Sequence, residues 1–159
     1  MNASVVEGGL SLHDHIDLNI AVDLNYEGLL APVIRHTEDK RLGAIAREIS
    51  DLASRARSSK LRPDELSGGT FTISNSGPFG TFMVAPVINQ PQVAILSTDG
   101  VSRKTVVVTD EYGTESIAIH SMGMLVLSWD HRAFDGAYAA AFLRALKDVL
   151  EHHPWESEL

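Results

Sequence analysis

Polar and apolar positions in this chain fall into short periodic blocks separated by turn residues. From His15 to Leu24 they alternate, with Ile16, Leu18, Ile20, Val22 and Leu24 apolar and Asp17, Asn19 and Asp23 between them. That period of two predicts a half-buried strand. Tyr26-Glu27-Gly28 reads as a turn, and Leu29 to Ile34 as a second short strand whose Pro32 points to an edge or a bulge. The period then changes. Leu42, Ile45, Ala46, Ile49, Leu52, Ala53 and Ala56 recur at helical spacing, with Arg47, Glu48, Asp51, Arg55 and Arg57 on the opposite face. Thr37 or Asp39 is the expected cap of this helix, and Asp51 and Arg55 are placed to pair one turn apart. Lys60 to Leu66, with Pro63 inside, closes it.

Gly68-Gly69 introduces Thr70 to Ser74, an alternating β-rich run, followed by a long stretch of loop signals from Asn75 through Pro91. So long an irregular segment in a compact domain is usually functional or folded over a neighbour. Gln92 to Ser97, Val101 to Val108, Ser116 to His120 and Gly123 to Ser128 read as further strands. Asp135-Gly136 opens a last helix with apolar positions Ala139, Phe142, Leu143, Leu146, Val149 and Leu150, ending at His152-His153-Pro154. The chain 1–159 is expected to form one α/β (α+β) domain with a mixed or antiparallel sheet. The regular strand–helix alternation of a doubly wound parallel fold is missing.

The bulk numbers narrow the chemistry. The 159 residues are 44% hydrophobic and 21% charged, enough for a sizeable core. A formal charge of −8 argues against nucleic acid as a partner. Arg41, Arg47, Arg55, Arg57, Lys60 and Arg62 cluster, but they read as a solvated helix face. No stretch approaches the ~20 apolar residues of a membrane span. Met1 to Glu7 lacks the basic and apolar regions of a signal peptide, so the expected setting is cytoplasmic or the mitochondrial matrix. Cysteine is absent, which excludes disulfides and thiolate catalysis.

Three groups of residues could carry chemistry. His13 and His15 share one face of an extended segment, but a zinc site needs three or four ligands and spacing marks no third, so no metal is expected. Gly77-Pro78-Phe79-Gly80 follows a strand as a phosphate cradle would. Pro86 and Pro91 then exclude the helix whose N-terminus would hold the phosphate. The third group joins Ser74 at one strand end, His131 at another and Asp135 four residues on. His is the side chain whose ordinary pKa lies closest to neutrality, which suits it to proton transfer. A serine, a histidine and a carboxylate could also make a hydrolase-like triad, although the Gly-x-Ser-x-Gly elbow is missing. Spacing leaves Ser74 open as nucleophile, hydrogen-bond donor or strand surface.

Leu127-Ser128-Trp129-Asp130-His131-Arg132-Ala133-Phe134-Asp135-Gly136 resembles the His-Arg-x-x-Asp-Gly signature of the dihydrolipoamide acyltransferases, the core components of 2-oxo acid dehydrogenase complexes. Gly28 to Arg35, Gly68 to Asn75 with Gly77 and Gly80, and Pro86 to Leu96 resemble three further blocks of that family, in family order. The resemblance implies a mixed sheet with flanking helices, a chloramphenicol-acetyltransferase-like fold, assembled as a homotrimer with active sites between subunits. It implies acyl transfer between dihydrolipoamide, carried on the lipoyl group of a separate domain, and coenzyme A as substrate, within a complex of other dehydrogenase components. By the same resemblance His131 would be the general base, Ser74 would donate to the oxyanion, and Asp135 would position the His131 loop or polarise the site.

Three departures accompany it. Trp129 stands where the family often has Tyr. The segment Pro154 to Leu159 is more polar than the leucine-rich tail that joins trimers into large cores. Met1 aligns inside the family's catalytic domain, so the expectation is a domain lacking its N-terminal part, with no lipoyl or peripheral-subunit-binding domain. Two alternatives stand beside the acyltransferase: a catalytically impaired assembly fragment of that core, and a free-standing chloramphenicol-acetyltransferase-like enzyme.

Overall fold

The computed structural model describes residues 1–158. Leu159, the last residue of the polar tail, lies outside them. In chain order they form β1 (Ala3–Val6), β2 (Gly9–Leu12), β3 (Leu18–Ile20), β4 (Val22–Asp23), β5 (Leu29–Leu30), β6 (Val33–Ile34), α1 (Leu42–Arg57), β7 (Phe71–Asn75), β8 (Ala94–Thr98), β9 (Ser102–Thr109), β10 (Glu115–Met122), β11 (Leu125–Trp129) and α2 (Gly136–His152). Five strands make the central sheet in the order β11-β8-β7-β3-β6. The inner pairs β8/β7 and β7/β3 are parallel, and the outer pairs β11/β8 and β3/β6 are antiparallel, so the sheet is mixed, as expected.

Register sorts the side chains onto two faces. Leu18, Phe71 and Ile73, Ala94 and Leu96, and Leu127 and Trp129 share one face, on which Ala139, Phe142, Leu143 and Leu146 of α2 pack. Ala3 of β1 joins the same core. Each large side chain buried there stabilises by roughly 1.5–3 kcal/mol. The opposite face carries Asn19, Thr72 and Ile95 at one level and Ser74, Ser97 and Val126 at the next.

The alternating segment from His15 corrects the sequence reading. It is two short strands rather than one, and its polar side is the more deeply covered. Asp17 is only 3% exposed and Asn19 only 2%. Burial is sustained by hydrogen bonding. Arg35 Nη1 donates to Asp17 Oδ2 at 2.8 Å and the His36 amide donates to Oδ1 at 2.8 Å. Burial alone would raise the Asp17 pKa, but these donors outweigh it and hold the carboxyl below its ordinary range. Asn19 Nδ2 donates to the Ala31 carbonyl at 2.7 Å, and its Oδ1 accepts from Gln92 Nε2 at 2.7 Å. Gln92 also donates to the Gly69 carbonyl and accepts from Thr72 Oγ1 at 2.6 Å. Gly69 is required by this network, because a Cβ there would collide with Asn19 Oδ1.

Three other expectations change. The hairpin β1–β2, turning at Gly8, has no counterpart in the sequence reading. Thr37 and Asp39 do not cap α1; they form a separate 3-10 turn, and Arg41 is the residue before the helix. The basic cluster is neutralised in part rather than simply solvated. Arg55 pairs with Asp51 at 2.8 Å, as expected, but also forks onto Glu65 at 2.7 and 2.8 Å, holding the Glu65 pKa down to about 2. Among the described residues no helix is long and apolar enough to cross a membrane.

Candidate active site

His131 sits just past the end of β11, in a turn that its neighbours close. The Asp130 amide donates to the Val93 carbonyl at 2.8 Å, keeping the chain on the sheet, and the Ala133 amide donates to the Asp130 carbonyl at 2.9 Å. Arg132 folds back on Asp130, with Nε donating to Oδ1 at 3.0 Å and Nη2 to Oδ2 at 2.6 Å. These bonds from Arg132 hold the Asp130 pKa at about 2. The two flanking charges therefore satisfy each other, and the His131 imidazole is left exposed beside the Trp129 ring, with centroids 5.2 Å apart. Trp129 in turn stacks on Phe134 at 6.4 Å.

Asp135 is the N-cap of α2. Its Oδ1 accepts from the Tyr138 amide at 2.9 Å, which satisfies one of the helix's unpaired donors. Among the described residues its carboxylate bonds to the helix and not to the imidazole. The expected His–Asp neighbourhood is thus a capped corner rather than a relay.

Ser74 stands near the C-terminal end of β7, on the sheet face away from α2. It lines a cavity of about 430 Å³ with Ala21, Leu29, Thr72, Val84, Pro86 and Ile95. The walls are largely apolar, suited to an uncharged acyl or alkyl chain. Among the described residues the Ser74 hydroxyl has no hydrogen-bond partner, so it is free to donate into the cavity.

Ser74 and His131 do not meet. Ser74 is level with Ser97 and therefore with Val126, three residues before the end of β11. Because β11 runs against β7, its C-terminal end, and His131 with it, lies at the opposite edge of the sheet from Ser74. Three residues along a strand and two strands across place the Ser74 backbone at least ~14 Å from Trp129, with His131 further still. One copy of the chain presents the two halves of the expected constellation on separate ends.

Asp99 is a residue the sequence reading missed. It follows β8 and is buried, and its carboxylate accepts from Thr81 Oγ1 at 2.7 Å, Ser76 Oγ at 3.0 Å and the Val84 amide at 3.1 Å. The Thr81 bond contributes most to holding its pKa below the ordinary carboxylate range. Its donors lie 15 to 23 residues away in sequence, in the stretch read only as loop, so no spacing marks it.

His13 and His15 are near each other, with ring centroids 5.9 Å apart, but each is engaged separately. His13 Nε2 is 2.8 Å from Ser4 Oγ, and His15 Nδ1 is 2.9 Å from Asp14 Oδ1, a contact that raises the His15 pKa. Three ligand-type atoms come within 4.8 Å of one another instead on the exposed His36, Glu38 and Asp39.

Comparison with known proteins places this arrangement. The chain is 45% identical over 150 residues to the dihydrolipoyllysine-residue acetyltransferase component of the pyruvate dehydrogenase complex of Mycobacterium bovis, a match covering 94% of this chain and 27% of that protein. A probable dihydrolipoamide acetyltransferase from Listeria monocytogenes superposes with a TM-score of 0.87 at 37% identity, covering 94% of this chain and 62% of that one. The dihydrolipoamide acetyltransferase of Azotobacter vinelandii superposes with a TM-score of 0.83 at 38% identity, covering 94% and 60%. That structure comes from an investigation of a serine, a histidine and an asparagine four positions after it in the catalytic mechanism. The chain thus spans roughly a quarter of the curated relative and about three fifths of the crystallised ones. Residues 1–158 match the family described as 2-oxoacid dehydrogenases acyltransferase (catalytic domain). The mixed sheet, its flanking helices and the ordered sequence blocks all agree with that match, and the chain belongs to this family.

Proposed function

We propose that the chain is an acyltransferase domain moving an acyl group between dihydrolipoamide and coenzyme A within a 2-oxo acid dehydrogenase complex. His131 is the general base, Ser74 the oxyanion donor, and Asp135 the residue that fixes the His131 corner by capping α2. The lipoyl group arrives on a separate domain, and the other dehydrogenase components supply the acyl group. The reaction needs no metal, and the setting is the cytoplasm or the mitochondrial matrix.

The observation that carries this reading is the separation of Ser74 from His131 across the sheet. A lone copy has a base without an oxyanion donor and a donor without a base. Around a threefold axis, the His131 edge of one copy can face the Ser74 edge of the next, giving a homotrimer with shared sites. In such a site the imidazole takes the proton of the attacking thiol, whose ordinary pKa is ~8.5. The thiolate adds to the thioester carbonyl, the C=O electron pair moves onto oxygen, and the Ser74 hydroxyl donates to that oxyanion. Collapse restores the carbonyl and expels the second thiolate, which recovers the proton from the imidazolium. Both sides are thioesters, so no acyl-serine is required.

The Azotobacter relative, investigated for a serine, a histidine and an asparagine in its catalytic mechanism, supports the choice of these residue types. Here the fourth position after the histidine is Asp135, whose cap bond uses a carboxylate oxygen that an asparagine also possesses. The test is coenzyme A release from acetyl-CoA in the presence of dihydrolipoamide. Wild type should turn over and His131→Ala should not. A His131→Ala variant with full activity would overturn the assignment.

A further inference from the structure

The segment that leaves Ser74 and returns to wall its cavity is tied to one buried carboxylate. We propose that Asp99 is a positioning residue for the Ser74 site, gathering Ser76, Thr81 and Val84 and so fixing both the strand end that bears Ser74 and the far wall of the cavity. The proposal rests on the reading of Ser74 as oxyanion donor.

Asp99 is 5% exposed and has no basic side chain within 4 Å among the described residues. A buried ionised carboxylate without a cation is costly unless donors replace its water. Here all its recorded donors come from one segment: Ser76 Oγ and Thr81 Oγ1 on Oδ1, and the Val84 amide on Oδ2. The backbone reinforces the tie. The Ser76 amide donates to the Thr98 carbonyl at 3.1 Å, and the Gly100 amide to the Thr81 carbonyl at 2.9 Å. Packing is close as well: a Cβ on Gly77 would stand 3.1 Å from the Asp99 carbonyl oxygen. One end of the segment begins two residues after Ser74, and the other end, Val84, lines the cavity that Ser74 faces. A shift of the clamp therefore moves the hydroxyl and the opposite wall together. Displacements of ~1 Å in a catalytic group cost up to about 10²-fold in rate.

Asp99→Asn is the sharpest probe, because it keeps the shape and removes one acceptor. The neutral amide offers one acceptor in place of two, so either the Val84 N–H meets a donor or the Ser76 and Thr81 hydroxyls must turn round to accept from the amide nitrogen. The proposal expects kcat for acyl exchange between acetyl-CoA and dihydrolipoamide to fall about tenfold or more in the full chain. In a Ser74→Ala background the same substitution should lower kcat by a clearly smaller factor, because only the displaced cavity wall then acts. Amide hydrogen exchange at Val84 and Gly100 should accelerate in Asp99→Asn while Leu96 and Leu127 in the sheet stay protected. If that variant loses the sheet as well, Thr81→Val, which removes one donor of three, should show a smaller fall in kcat with the same dependence on Ser74. Wild-type kcat in Asp99→Asn, or an equal loss with Ser74 absent, overturns the proposal. An inactive wild type, or a Ser74→Ala variant as active as wild type, overturns the reading of Ser74 and the catalytic half of this one. Unchanged exchange at Val84 overturns the clamp by itself.

Discussion

The two ends of the central sheet are built in opposite ways. At the His131 end the side-chain restraints are local: Asp130 is bound by Arg132 two residues on, the turn closes at Ala133, and Asp135 caps the helix that follows, while the Asp130 amide ties the corner to the Val93 carbonyl on the sheet. At the Ser74 end the restraints are long-range. Asp99 holds a segment up to 23 residues earlier, and Gln92 joins Asn19, 73 residues away, to Thr72 and Gly69. The local end gives an exposed imidazole on a rigid corner, whereas the long-range end gives a hydroxyl in an apolar cavity. A general base must reach a thiol brought from outside, and an oxyanion donor must be held still in a place poor in water. Each construction suits the role proposed for it.

The comparison can be broken at either end. The largest effect is expected from His131→Ala, which removes the proposed base and should lower kcat for acyl exchange by about 10²–10⁴-fold with the fold intact by circular dichroism. Ser74→Ala follows, with a loss of about 10²–10³-fold, as for one oxyanion donor, and little change in KM. Gln92→Ala tests the long-range end as architecture. It removes the partner of Asn19 Oδ1, of Thr72 Oγ1 and of the Gly69 carbonyl, and should cost about 2–4 kcal/mol in urea unfolding.

The local end should respond least, and to pH. Asp130 is held at about 2, below the ordinary ~3.9 of an unfolded aspartate. A depressed folded-state pKa means its contribution is fully present above the unfolded value and is lost as pH falls towards 2. Between pH 5 and 2 the melting temperature of wild type should therefore fall more steeply than that of Asp130→Asn. Parallel curves would show that the Asp130–Arg132 pair does not hold the corner.

The same contrast explains what could be read from sequence. The His131 corner was legible because its side-chain donors, acceptors and cap lie within a few residues, where spacing is geometry. The helices and most strands were legible from their periods. Ser74 was reached through the ordered family blocks, since spacing left it open among three roles. Asp99 and Gln92 were not legible at all, because a polar residue in a strand or loop carries no mark of a partner folded onto it from elsewhere. The segment from Asp17 to Asn19 teaches the complementary lesson. A period of two says which residues share a face, but the face covered is decided by what packs there, and here Gln92, Arg35 and the His36 amide cover the polar one. The β1–β2 hairpin escaped because two four-residue strands around Glu7-Gly8-Gly9 are too short to establish a period.

The central claim is that a site is completed by two copies of the chain, with His131 from one and Ser74 from the next. Co-expressing His131→Ala with Ser74→Ala chains in equal amounts tests it most directly. Random trimers of two inactive variants would contain wild-type pairs at about one interface in four, so activity should return to roughly a quarter of wild type. If both residues serve within a single copy, no mixture can rebuild a site, and activity fixed at the level of the separate variants would contradict the account.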